Sequence, residues 1–221
     1  MLTAHIEAKT RTSLAPHHLF AAARLAKRIR EVEQENQGDP FGAFYDEILH
    51  NALGVAMMTV ASLESYANEL YFEGSAIVPA QNQAFASEFQ EIVDREPVLR
   101  KFSLILAIRS AKRLDMGCSE VQSVDALIKL RNAIIHFRPE WFGEQDEHAK
   151  LSKRLHNRFL ASPFLPNEPL FPNAWASASF ANWALRSTMQ FLRYFYAEAG
   201  LKDPLQKFIS RVESLSGENA L

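Results

Sequence analysis

Cysteine is almost absent from this chain. One residue, Cys118, stands among 221, which excludes an internal disulfide framework and a cysteine zinc cluster. A semi-buried thiol is the expected role for it. Glycine is scarce, with 8 residues, and the 10 prolines cluster late. No glycine-rich phosphate loop, internal repeat or heptad run occurs. Alternating Val, Thr and Ile stretches are few, so a sheet has little material. No excess of positive charge is present either, since the formal net charge is −2. Nucleic acid binding would therefore have to use local patches. The longest apolar run, Leu53 to Leu63, is 11 residues, against about 20 for a bilayer span. The N-terminus has no continuous apolar signal region. A cytoplasmic protein without membrane contact is the default expectation.

What is present is helical periodicity. With 48% hydrophobic and 23% charged residues, the chain reads as one domain over residues 1–221 with a real core. Residues 1–14 read as a loose lead. A first helix starts near Pro16, a favoured first-turn residue, and runs to about Gln37. Leu19, Ala22, Ala23, Ala26 and Ile29 are its apolar side. Gly38-Asp39-Pro40 stops it. A long second helix runs from about Phe41 to Glu73. Its stripe is Tyr45, Ile48, Leu49, Ala52, Ala56, Val60, Leu63 and Ala67, with Glu64 and Asn68 at the margin. After a loop, residues 84–94 form a short helix. Pro97 opens another to about Asp115, with Phe102 and Leu106 inward and Arg100, Lys101 and Arg109 outward.

A helix capped by Ser119 or Ser123 then ends in Ala126-Leu-Ile-Lys-Leu-Arg-Asn-Ala-Ile-Ile-His-Phe137, closed by Pro139. Val124, Leu127, Ile128, Ile134 and Ile135 form its apolar stripe. Trp141 and Phe142 are expected to pack against it. A polar helix follows from about Glu144 to Leu160. It carries Lys150, Lys153, Arg154 and Arg158, either as a solvated face or as a phosphate-contacting surface. Pro163, Pro166, Pro169 and Pro172 recur every third residue, the period of polyproline II. Residues 161–173 thus read as an extended connector, pinned by Phe164, Leu165, Leu170 and Phe171. Residues 174–215 form the closing helices, the first apolar nearly all round. The fold class is all-α: an up-and-down bundle of four or five main helices with short additional ones.

Asn132 and His136 are four apart and share a helix face, and Arg131 borders it. A cation, an amide and an imidazole are expected to converge there. Arginine stays charged and can bind two phosphate oxygens at once. Histidine moves protons near neutral pH. Asn132 can donate to phosphate or hold the His136 ring in one tautomer. The bland alternative is a helix end where Arg131 caps carbonyls and His136 packs between helices. No His-x-x-x-His spacing occurs, so a zinc or di-iron site has no basis.

Arg131-Asn132, four residues in all separating Arg131 from His136, at the end of an apolar helix, resembles the signature of the HEPN superfamily. Many members are metal-independent endoribonucleases of toxin–antitoxin and other defence or stress systems. The resemblance implies a homodimer with a composite site. It implies RNA as substrate, 2′-hydroxyl attack, 2′,3′-cyclic phosphate products, no cofactor and no metal. It carries the catalytic role to Arg131, Asn132 and His136. More weakly, Ala61 to Leu70 resembles the first core helix of several such families, which would give Glu64 and Asn68 supporting roles. An antitoxin protein is an implied partner. Some family toxins carry a Tyr two positions after the His that an antitoxin modifies; Arg138 stands there, so that mechanism is not implied. Arg138 is instead an RNA-contact candidate with Lys150, Lys153, Arg154 and Arg158. DNA is not indicated. The alternative is a non-catalytic HEPN-like module that binds RNA or a protein partner.

Overall fold

The computed structural model describes residues 12–72, 93–141 and 146–217. Among them seven α-helices appear and no strand: α1 (Ala15–Glu35), α2 (Phe44–Phe72), α3 (Val98–Ser110), α4 (Ser119–Ile135), α5 (Asp146–Leu155), α6 (Ala178–Glu198) and α7 (Ile209–Ser216). The fold is an all-α bundle. No helix among the described residues is long and apolar enough to cross a membrane.

The α1–α2 pair is an antiparallel hairpin. The Ser62 hydroxyl donates to the Ala15 carbonyl (2.8 Å) at one end, and Arg28 meets Glu47 (2.6 Å) at the other. Alanines at 22, 23 and 26 keep the α1 face shallow, and all three are buried. Small residues let two helix axes approach closely. Gly54 shows how closely: a Cβ there would stand 2.6 Å from Leu25 Cδ1. The start of α1 is capped from outside, since Glu69 accepts from the Ser13 hydroxyl (2.8 Å) and the Leu14 and Ala15 amides. Ser13 and Leu14, expected to be loose, are thus tied to α2. The rest of the lead, residues 1–11, lies outside the described residues.

α6 runs parallel to α2. Tyr45 donates to the Asn173 carbonyl (3.1 Å) before the start of α6, and Tyr66 meets Tyr196 near its end. Phe180, Ala184, Phe191, Leu192 and Phe195 of α6 are fully buried. α3 inserts Phe102 edge-on against Phe191 and Phe195, with centroids 5.0 and 4.6 Å apart. Burial of this kind supplies most of the folding free energy, at about 1.5–3 kcal/mol per large side chain.

Several expectations need correction. α3 stops at Ser110, because Ala111 takes a left-handed conformation (φ 53°). Lys101 is buried, not outward, and donates to Asn68 Oδ1 at 2.7 Å. α4 begins after Cys118 with no side-chain cap, so neither Ser119 nor Ser123 plays that part. Trp141 is 83% exposed, not packed against α4, while Phe142 and the expected 84–92 part of a short helix lie outside the described residues. The polar helix α5 ends at Leu155, five residues early. The proline-rich connector is not polyproline II. It is a series of turns closing in one π-type turn, Leu170–Ala174, with a cis Phe171–Pro172 peptide. Phe164 and Phe171 do pin it to the core. α6 starts at Ala178, where Ser177 caps it by accepting from the Phe180 amide (3.0 Å). The last expected helix is two pieces, a 3-10 turn Pro204–Lys207 and then α7.

Candidate functional site

The end of α4 carries the Arg-Asn-x-x-x-His segment. Its inner face is set by Val121, Val124, Leu127 and Leu130, all at 0% exposure. That burial aims the rest of the helix. Arg131 is half-buried and its guanidinium pairs with Glu64 of α2. The side chains are 20% and 46% exposed, so the arginine is the more enclosed partner. Among the described residues no other partner engages the Arg131 guanidinium. Its remaining donors are pre-oriented by the carboxylate and available to an anion.

Asn132 and His136 are exposed. His136 is the C-cap of α4, with its backbone amide donating to the Asn132 carbonyl (2.9 Å). Its imidazole is in solvent, not packed between helices as the bland alternative required. Arg131 and His136 are five residues apart, which on a regular helix is about 140° round the axis. No hydrogen bond joins Arg131 to Asn132 or His136 among the described residues. The helix therefore shows an Arg131–Ile135 side toward Glu64 and an Asn132–His136 side toward solvent. Ile135, expected in the apolar stripe, is 50% exposed. Asn68, one turn past Glu64, faces Lys101 and so does not meet Arg131.

On the far side of α4 lies a groove of about 870 Å³ between α4, α5 and the Leu170–Ala174 turn. Lys150, Lys153, Arg154 and Arg158 all line it, together with Lys129 of α4. Five cations there face two carboxylates, Asp125 and Glu147. Asp125 is shared: it accepts from Lys129 (2.7 Å) and from Arg154 (2.6 Å). Arg158 donates to Ser123 Oγ (3.2 Å) and to the Arg154 carbonyl (2.9 Å). Its burial, and next the adjacent Arg154 charge, lower its pKa from the ordinary arginine value. A site that strains a cation in this way gains from an incoming anion. Arg138 is exposed and outside the groove.

Three further residues belong here that residue-by-residue reading passes over. Lys129 looks like ordinary helix surface until α5 folds against it. His148 and Glu140 are eight apart in sequence, yet Glu140 Oε2 stands 3.6 Å from His148 Nδ1. No periodicity signals such a pair. Among the described residues no group of three or more His, Cys, Asp or Glu side chains is arranged to hold a metal ion. No family model, no curated protein and no solved structure matches the chain.

Proposed function

We propose that this protein is a metal-independent endoribonuclease of HEPN type, acting as a homodimer. One observation carries the reading: α4 ends with an imidazole in solvent, one turn beyond a guanidinium already oriented by a carboxylate. Cleavage by 2′-hydroxyl attack needs that proton removed, the phosphorane charge stabilised and a proton delivered to the leaving 5′-oxygen. Arg131 supplies the charge, held in place by Glu64. His136 supplies one proton position and Asn132 steadies phosphate or ring. A second His136, from a twofold partner, supplies the other. Ile135, half-exposed beside Arg131, gives that partner an apolar foothold. Arg138, Lys150, Lys153, Arg154 and Arg158 hold the RNA backbone. A toxin or stress role, with an antitoxin protein as regulator, follows from the same resemblance.

The test is to incubate wild type and His136→Ala with assorted RNAs in excess chelator and to analyse the product ends. Wild type should leave 2′,3′-cyclic phosphates, and the variant should lose at least about a hundredfold in rate, the lower end of general acid–base catalysis. RNA left intact by the wild type contradicts the reading. A second reading, a non-catalytic RNA-binding module, is favoured by the same Glu64, which neutralises Arg131. In that case wild type binds RNA without cutting it, and Glu64→Gln tightens binding by freeing the cation.

A further inference from the structure

The groove holds a histidine that the reading above leaves idle. His148 is only 8% exposed, although it lies on a polar helix. Its ring stacks on Phe137, with centroids 5.4 Å apart and planes at 20°, and meets Phe171 edge-on at 5.1 Å. Its Nδ1 is buried, has no hydrogen-bond partner among the described residues, and faces Glu140 Oε2 at 3.6 Å. The same carboxylate oxygen accepts the His148 backbone amide (3.3 Å). The ring is therefore held between Phe137 and Phe171, with Nδ1 turned to the carboxylate, while the residue lines the basic groove. A carboxylate that closes on Nδ1 would fix the tautomer in which Nε2 acts. Such bonds often tighten only when ligand arrives.

Two more features lie beside it. The cations outnumber the carboxylates, since Lys129 and Arg154 share Asp125 and Lys153 has no carboxylate partner among the described residues. Beyond them, on the segment leaving α4, Phe137 is 49% and Trp141 is 83% exposed. Phe137 borders the cationic track through its stack on His148, and Trp141 follows four residues on; phosphates on cations and bases on rings are how single strands are held. A duplex keeps its bases stacked inside and would leave Trp141 without a role.

We infer that this groove binds the phosphodiester backbone of a single-stranded nucleic acid, with His148 turned to a phosphate and Phe137 and Trp141 stacking on bases. This names the strand-holding surface of the proposed ribonuclease, yet it concerns binding and stands whether or not cleavage occurs. His136 directly precedes Phe137, so a strand on the ring passes the end of α4.

The test uses a short, fluorescently labelled 2′-O-methyl RNA, which cannot be cut by 2′-attack, and measures anisotropy across a salt series. DNA of the same sequence and the corresponding RNA duplex are run beside it. The single strand should bind more tightly than the duplex. Lys153→Gln with Arg154→Gln should flatten the log–log salt slope by about 1.4, or 0.7 per lost phosphate contact. Trp141→Ala should weaken binding about tenfold. Imidazole nitrogen shifts of His148 should move on titration. These three readouts leave the buried histidine unsubstituted and the packing of its ring intact. Equal binding of DNA means that phosphate and base faces alone are read; a preference for the ribose strand means that the sugar is read too. No binding, or binding unchanged in both variants, overturns the inference. Binding of this probe, with unmodified RNA of the same sequence left uncut, keeps the groove and overturns the ribonuclease reading; cleavage of the unmodified RNA indifferent to the groove variants does the reverse.

Discussion

Tyr66 is 4% exposed and its hydroxyl is buried with no hydrogen-bond partner among the described residues. An unmade buried hydrogen bond costs roughly 1–3 kcal/mol. Burial, and next the charge on Glu69, also push its phenol well above the ordinary tyrosine pKa. Tyr66→Phe keeps the edge-on contact with Tyr196 and removes the orphan oxygen. It should raise stability by about 1 kcal/mol, read as a higher urea midpoint with an unchanged slope; a lower midpoint shows that the hydroxyl is satisfied in solution. Glu33 is the complementary case. Burial raises its pKa despite the amide of Ala178 donating to it at 2.8 Å. A carboxyl with a raised folded pKa holds its proton better folded than unfolded. Its contribution is therefore complete below the unfolded value, about 4.3, and is lost as pH rises through the folded value. Wild type should lose stability relative to Glu33→Gln as pH climbs from about 4 to neutrality, in paired thermal melts. A constant gap between the two melts would contradict the burial argument.

The helices themselves were legible because each buried stripe is periodic. Leu19, Ala22, Ala26 and Ile29 on α1, and Ile48, Ala52, Val60 and Leu63 on α2, announce their faces in the residue order and are all buried. Ends were harder. Ala111 ends α3 in a left-handed conformation that alanine does not advertise, and Ser177 starts α6 through a bond that Asn173 could equally have made by composition. The proline period at 163–172 misled because packing of Phe164 and Phe171 into the core outweighs the backbone preference. In the candidate site, residues sharing one helix were visible. The Glu64–Arg131 pair spans 67 positions and the groove joins two helices, so both needed tertiary structure. The tightest helix contact gives a direct check. At Gly54 a methyl would press only on the flexible end of Leu25, and alanine gains about 1 kcal/mol of helix propensity. Gly54→Ala should be close to neutral, while Gly54→Leu should cost about 1–3 kcal/mol by overpacking. Leu127, at 0% exposure under the motif, should cost about 2–5 kcal/mol as alanine. Chemical denaturation measures all three; a tolerated Gly54→Leu would mean that α1 and α2 are further apart in solution.

At the scale of the whole molecule, the proposed chemistry needs more than one helix. Arg131 points to α2, His136 to solvent and the cationic groove to α5. In the proposed composite dimer two such ends come together. Mixing wild-type with His136→Ala protomers should then lower cleavage roughly as the square of the wild-type fraction, because a mixed dimer keeps only one of the two imidazoles the reaction uses. A fall only in proportion to the wild-type fraction, with mixed dimers formed, would place all the chemistry within one protomer. The most direct measurement is cleavage, in excess chelator, of a DNA strand carrying a single ribonucleotide. One cut, on the 3′ side of that ribose and leaving a 2′,3′-cyclic phosphate, is expected from wild type and is expected to vanish in His136→Ala. An uncut strand, cuts at deoxyribose positions, or undiminished cutting by His136→Ala would contradict the assignment of α4 as a ribonuclease site.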